Sequence, residues 1–449
     1  MSDLLTIGSS GVSAYRSALA AIGENVANAE TPGYARRQVR LTQSTNAGSE
    51  SPIYREALLF SGVEANSVER AWDAFRAADA RYSAAAASRA ETRERWLTAV
   101  ETSLADGPSG VGSLLGGFFN EAVSLAATPD ERLGRSAMLM ALEQAAGAIR
   151  TTAESLARVS EGITKSAYLD VEALNDDLEA LTKVNTALRQ ASTGGTAKAA
   201  IEDERDRLID AIAERIDVTA AIADDGTAAL TLARATGVAL IDPVSRALVT
   251  LTPAADGRLS LELRANGTTV PLPATGGSLS ALVDVASSTA DKRRELDGIA
   301  ADFAADLNAW SAQGIDENGN PGTDLLVITT GALSLRVLTS DPADIAAASA
   351  DGTPNGNLLA LNALRAEGGA ESRWAALVAA QSQALAAARS ETAAASTRRD
   401  NSFASRDEIT GIDLDHEAAE LLRFQQAYNG AAKIIQIARE TMQAIFDIL

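Results

Sequence analysis

The densest group of carboxylates in the chain, Glu202, Asp203, Glu204 and Asp206, has the residue types for glycan hydrolysis, which needs two carboxyl groups flanking one bond. Arg205 and Arg207 interleave with these acids, and on a helix the run reads instead as a solvated, salt-bridged face. The stretch Asp316-Glu317-Asn318-Gly319-Asn320-Pro321-Gly322-Thr323-Asp324 begins like a calcium loop. Its sixth position is Pro321 and its twelfth is Val327, where the loop needs a glycine and a bidentate glutamate, so it is expected to be a polar turn without a metal. Gly194-Gly195 lacks the strand, helix and lysine of a phosphate loop. His416 is the one histidine and there is no cysteine, which removes thiolate nucleophiles, disulfides and His-rich zinc sites. His416 stands among Asp413, Asp415 and Glu417 with no nucleophile signature and is expected at the surface. No catalytic, cofactor-binding or metal-binding residue is assigned, no cofactor is expected, and the chain is read as non-enzymatic.

The elements that carry these residues belong to a chain of 449 residues, enough for about three folded units at roughly 150 residues each. Sixty acidic against 39 basic residues leave a net charge of −21, which repels phosphate backbones and anionic headgroups. Nucleic acid is not an expected partner. No stretch has the roughly 18 uninterrupted apolar residues of a membrane span, so no membrane insertion is expected. The first thirty residues lack the charged start, apolar run and cleavage site of a general secretory signal.

The two ends carry the clearest periodicity. Leu5, Val12, Leu19 and Val26 recur every seventh residue, with Tyr15 and Ile22 three further on. Leu414, Leu421, Tyr428, Ile435, Met442 and Leu449 repeat the pattern at the other end, with Phe424, Ala431, Ala438 and Ile445 three residues later. These are coiled-coil seams. The first ends before Pro32-Gly33 and passes into extended chain from Tyr34 to Leu41. The second starts at Asp413 or Asp415 as cap, and its small Ala431 and Ala438 admit a close partner backbone. One such helix packs ordinarily on its own domain. Two, at opposite ends, are costly to leave in water and point to burial against each other or against further copies of the chain.

Between them the spacing predicts helices from Val68 to Val100, through Leu114 to Val123, from Ile149 to Leu188 and from Ile201 to Ile216. Near Val218 the period changes to two, with short strands separated by Asp225-Gly226, Asp242-Pro243, Asp256-Gly257 and Asn266-Gly267, which predicts a compact antiparallel β domain. Helices return from Leu279 to Trp310 and from about Ser372 to Ser402. The expected fold is mainly α with an inserted antiparallel β domain, an elongated long-helix bundle with terminal coiled-coil helices. Residues 1–35 and 411–449 form the terminal coiled-coil core in this reading. Residues 36–216 and 275–410 form a discontinuous helical bundle with a short β segment at 323–340, and 217–274 the inserted β domain.

The run Gly23-Glu24-Asn25-Val26-Ala27-Asn28-Ala29-Glu30-Thr31-Pro32-Gly33-Tyr34 resembles the N-terminal signature of bacterial flagellar rod, hook and hook-associated proteins. Its motif positions are Asn25, Ala27, Asn28, Thr31, Pro32, Gly33 and Tyr34. The stretch from Gly411 to Tyr428, with Ala432-Lys433-Ile434-Ile435-Gln436 behind it, resembles the hook-associated protein 1 family. The run from Asp203 to Leu208, followed by Ile216-Asp217-Val218, is similar to that family's entry into its β domain. Glu30 and His416 stand where the family often has Asn and Glu, and the chain is shorter than the larger members. The resemblance implies a structural subunit of the junction between hook and filament, in the extracellular flagellum, exported by the flagellar type III route without a cleaved signal. It implies as partners copies of the chain itself, the hook protein, a second junction protein and an export chaperone at the C-terminal helix. The assembly surface would comprise Leu5, Val12, Tyr15, Leu19, Ile22, Val26, Leu414, Leu421, Phe424, Tyr428, Ile435, Met442, Ile445 and Leu449. The alternatives are a hook or rod subunit of the same superfamily, a glycan hydrolase travelling with the flagellum, or a coiled-coil scaffold unrelated to flagella.

Overall fold

The computed structural model describes residues 2–45, 60–191, 196–233, 239–242, 245–265, 267–272, 276–366 and 368–447. Two compact units divide them: residues 1–85, 174–248 and 396–449 form one, and residues 86–173 and 249–395 the other.

The first unit opens with α1 (Ser2–Ala27), followed by an antiparallel hairpin of β1 (Arg37–Thr45) and β2 (Phe60–Arg70). The N-terminal part of α2 (Ala74–Ser103) follows. A helix had been expected from Val68, but Val68 pairs with Val39 in the hairpin. Asp73 starts the helix instead, its carboxylate accepting the Arg76 N–H at 2.9 Å, as an N-terminal cap does. The C-terminal end of α4 (Arg132–Gln190) leads to α5 (Thr196–Arg215) and to β3 (Val218–Ile222), β4 (Ala228–Leu232) and β5 (Ala239–Ile241), which form one sheet in that order. The end of α8 (Ala370–Thr410) and α9 (Leu414–Phe446) complete the unit. Asp413 caps α9, accepting the N–H groups of Asp415 and His416 at 2.9 and 3.2 Å.

The second unit is built on α3 (Val111–Ala127), the first part of α4, and α6 (Gly277–Ala312). Thr128 leaves the helical region before Pro129, with φ −138° and ψ 68°, and so ends α3. The core is a continuous cluster of Leu115, Phe118, Leu142, Ile149, Leu156, Leu296, Phe303, Leu307 and Trp374. Phe118 meets Phe303 edge to face, with centroids 6.0 Å apart. Gly112 has no side chain because one would reach within 2.9 Å of the Trp374 ring. A second sheet joins β6 (Leu248–Pro253), β7 (Leu259–Ala265) and β8 (Thr268–Pro271). The strands between 217 and 274 form two three-stranded antiparallel sheets, since alternation specifies a hairpin but not which hairpins join. Short pairs, β9 (Gly314–Ile315) with β12 (Ala348–Ser349) and β10 (Leu326–Val327) with β11 (Arg336–Val337), and a short α7 (Gly356–Leu361) complete it. Phe118→Ala is expected to destabilise this unit by about 3–5 kcal/mol through the cavity left behind, read as a lowered urea midpoint in circular dichroism.

Candidate assembly interface

The two chain ends meet as an antiparallel helix pair. Gly8 of α1 lies against Ile435 and Ala431 of α9, Gly11 against Ala431, and Asn25 against Glu417. The approach is close because α1 presents Gly8, Gly11, Ala14, Ala18 and Ala21, all buried, at spacings of three and four. A methyl group on Gly8 would fall 2.6 Å from Ile435 Cγ1 and one on Gly11 3.1 Å from Ala431 Cβ, so Ile435 fills the groove that glycine leaves. Ala431 and Ala438 are the buried small residues of α9. Another face of α1 carries the hairpin, where the Val63 N–H donates to Ser10 Oγ at 3.2 Å. Gly62, at φ +92°, passes so near Ser10 that a Cβ would collide with it.

The large residues expected at the seam divide between the pair and its surroundings. Tyr15 and Phe424 are brought together, with ring centroids 6.2 Å apart. Ile22 is buried, while Leu5, Val12, Leu19, Leu421, Tyr428 and Ile435 are half-buried. Val26, Leu414, Met442 and Ile445 face outward, 37 to 55% exposed, and Leu449 lies outside the described residues. Leu422, Ile434 and Ile437 are also exposed on α9. The helix–helix seam thus runs on small residues and the larger ones flank it. The signal for this, glycine and alanine at helical spacing in α1, was present but outweighed by the heptad of larger side chains.

Below the pair, the two signature segments close on one buried carboxamide. Asn25 is fully buried, and its side chain treats Arg37 as a strand neighbour would. Its Oδ1 accepts the Arg37 N–H and its Nδ2 donates to the Arg37 carbonyl, both at 2.9 Å. Nδ2 also donates to Glu417 Oε2 at 3.1 Å, and the Tyr34 hydroxyl donates to Oδ1 at 3.1 Å. Glu417, only 2% exposed, accepts from Arg36 Nε at 2.8 Å. Burial pushes the Tyr34 phenol up to about 12 despite the opposing charge of Arg37. Asn28, Thr31, Pro32 and Gly33 shape the turn that returns the chain to Tyr34. Asn28 Nδ2 donates to the Glu24 carbonyl at 2.9 Å, the Thr31 N–H to the Asn28 carbonyl at 2.9 Å, and Gly33 takes φ +79°. Ala27 is the last residue of α1.

From Arg37 an alternating ladder of charges crosses this unit. Arg37 holds Glu24 at 2.7 Å and Asp203 at 2.9 Å. Arg70 holds Asp203 at 2.7 Å and Asp206 at 2.9 Å, and Arg81 bridges Asp206 and Asp210 at 3.2 and 2.7 Å. Arg406 of α8 ends it on Asp210 at 2.8 Å. The acids of α5, expected on a solvated, salt-bridged face, are salt-bridged but half-buried, because the hairpin and α2 bring arginines onto them. The Glu204–Arg207 pair alone keeps the expected exposure on that run. Burial raises the Asp206 carboxyl, but Arg205, Arg70 and Arg81 outweigh it and hold the group below the ordinary carboxylate range.

The remaining candidates fall elsewhere. Asp316 uses Oδ1 to accept the Asn318 and Asn320 N–H groups at 2.8 and 2.7 Å, closing a turn. Among the described residues no group of three or more His, Cys, Asp or Glu side chains is placed to hold a metal ion, and no helix is long and apolar enough to cross a membrane. His416 is exposed. Gly194-Gly195 lies outside the described residues.

Residues 5–34, which hold most of α1 and the signature turn, match the family described as flagella basal body rod protein. Residues 97–326, half of the chain, match the flagellar hook-associated protein FlgK helical domain, and the chain belongs to the FlgK family. It is 25% identical to flagellar hook-associated protein 1 of Bacillus subtilis over 97% of this chain and 96% of the relative. It is 26% identical to flagellar hook-associated protein 1 of Salmonella typhimurium over 73% of this chain and 60% of that relative. The structure of the flagellar hook junction protein FlgK from Burkholderia pseudomallei is similar in fold, with a TM-score of 0.66 and 12% identity, covering 74% of this chain and all of that one.

Two outcomes follow from the buried groups. Asn25→Ala leaves the Arg37 backbone and Glu417 short of partners, and each group so stranded costs about 1–3 kcal/mol. Amide exchange is expected to quicken at residues 35–40 and at the start of α9. Because the Asp206 pKa is depressed in the fold, its contribution is complete above the ordinary value of 3.8 and is lost as pH falls through the lower folded value. The stability gap between the native chain and Asp206→Asn should therefore be widest above about pH 4 and narrow below it, as measured by thermal melting at each pH.

Proposed function

We propose that the chain is a structural, non-enzymatic subunit of the bacterial flagellum at the junction of hook and filament, assembling through α1 and α9. The observation that carries this reading is the signature-locked α1–α9 pair, which spends small residues on itself and leaves Val26, Leu414, Leu422, Ile434, Ile437 and Ile445 exposed. Covering such side chains with further subunits contributes roughly 1.5–3 kcal/mol for each one fully buried. The FlgK membership and the names of the relatives support the same reading. In it, residues 1–35 and 411–449 are the assembly core, the hook protein and a second junction protein are neighbours, and a chaperone protects α9 before export without a cleaved signal. The carboxylates that suggested a hydrolase are taken up as arginine counter-ions. A rod or hook subunit is the second reading, favoured by the rod-protein match, which is confined to residues 5–34.

The test is Leu421→Asp in a strain lacking the chromosomal gene. The variant should keep the melting transition of the second unit, fail to enter the hook tip, and leave cells unable to retain filaments. Normal incorporation of Leu421→Asp would refute the assembly role of the seam.

A further inference from the structure

Alongside the α1–α9 pair, α1, β1 and α9 enclose a cleft of about 160 Å³. Its apolar lining is Ala18, Ala21 and Ile22 of α1, Val39 of β1 and Phe424 of α9. A cavity of about 150 Å³ accepts a benzene ring, so this one has room for a single branched or aromatic side chain. On its rim Glu420 and Arg423 stand together, 2.5 Å apart, with the guanidinium 4.7 Å over the Phe424 ring. Arg36 and Arg37 also line the cleft but are sunk into it, 21 and 8% exposed and held by Glu417, Glu24 and Asp203, whereas Arg423 on the rim is 65% exposed.

The same helix carries a side chain of the matching kind. Ile437 is 52% exposed, and Lys433 and Glu440, one turn to either side on its face, are exposed with it. Along α9 the rim reads acid then base, and the stripe around Ile437 reads base then acid. The two orders complement each other when two α9 helices run in the same direction. Within one chain Ile437 cannot reach the cleft, since the thirteen residues from Phe424 span about 20 Å of helix.

We propose that Ile437 of one copy seats in the cleft of the next copy, with Lys433 facing Glu420 and Glu440 facing Arg423. The proposal rests on the assembly reading above and names the two surfaces that meet. The partner is a second copy because both surfaces, with complementary charge order, belong to this chain. Charge also permits it: beyond Phe424, Lys433 and Arg439 are balanced by Glu440 and by Asp447 just past the end of α9, in a chain of net charge −21 whose other surfaces mostly repel their own kind. Cleft and side chain lie at different heights on the helix, so each copy offers one of each and the contact propagates head to tail instead of closing a two-fold dimer.

The absence of cysteine makes the test clean. Full-length Val39→Cys and Ile437→Cys chains are co-expressed in the deletion strain, and isolated flagella are treated with a short bifunctional maleimide. A crosslinked dimer is expected when both variants are present and absent when either is alone. Glu420→Lys on the Val39→Cys copy should lower the yield at least fivefold, and Lys433→Glu on the Ile437→Cys copy should restore it. Junctions that form normally without the mixed dimer overturn this contact and leave the subunit role standing, as does a dimer from Ile437→Cys alone or a crosslink to a different protein. Failure of the cysteine-free parent to enter flagella overturns the assembly reading itself.

Discussion

The fold of the first unit depends on satisfying one carboxamide. Asn25 is sealed from water, and a buried amide without partners is costly. Its partners come from ten or so residues downstream, in Arg37 and Tyr34, and from the far end of the chain, in Glu417. This demand sets the register of α1 on the hairpin and of α9 on α1 together, because a slip of either helix strands the amide, the Arg37 backbone or the Glu417 carboxylate. The apolar contacts along Gly8, Gly11, Ala431 and Ala438 are small and repetitive, and repetitive contacts tolerate sliding. The polar closure removes that freedom.

The charge ladder performs the same task between the hairpin, α5, α2 and α8. Buried ion pairs recover their desolvation cost only with good geometry and full hydrogen bonding, and Asp206 meets that condition by drawing on Arg205, Arg70 and Arg81. Each guanidinium between Arg37 and Arg81 is shared by acids from two positions, so the elements are tied in sequence and no single pair stands alone. The orientation of the hairpin on α5 follows from this pairing.

Much of this architecture was legible in the chain. The positions of most helices, the turn pairs that close β3–β4 and β6–β7 and the cap at Asp413 are local, and local chemistry determines them. The terminal helices and their signature were visible too. What the periodicity misjudged was which face of α1 does the closest packing, because Leu5, Val12 and Leu19 dominate a heptad count while glycine scores nothing, although the absence of a side chain is what lets α9 approach. The hairpin partner strand at 60–70 was also missed, since its residues continue the helical spacing of α2 and only pairing with β1 identifies it. The acids of α5 were placed correctly on a salt-bridged helix face but too far into water, for the arginines that cover Asp203 and Asp206 lie more than a hundred residues away in Arg37, Arg70 and Arg81.

Joining the opening and closing helices antiparallel makes completion of the fold conditional on receiving the whole polypeptide. A copy that stops short of Glu417 has an unfinished α1, with its glycine groove unfilled and its key amide unanswered, however well the second unit has formed. Integrity at the far terminus is thereby read out at the beginning, and a prematurely ended product is marked by a loose first helix.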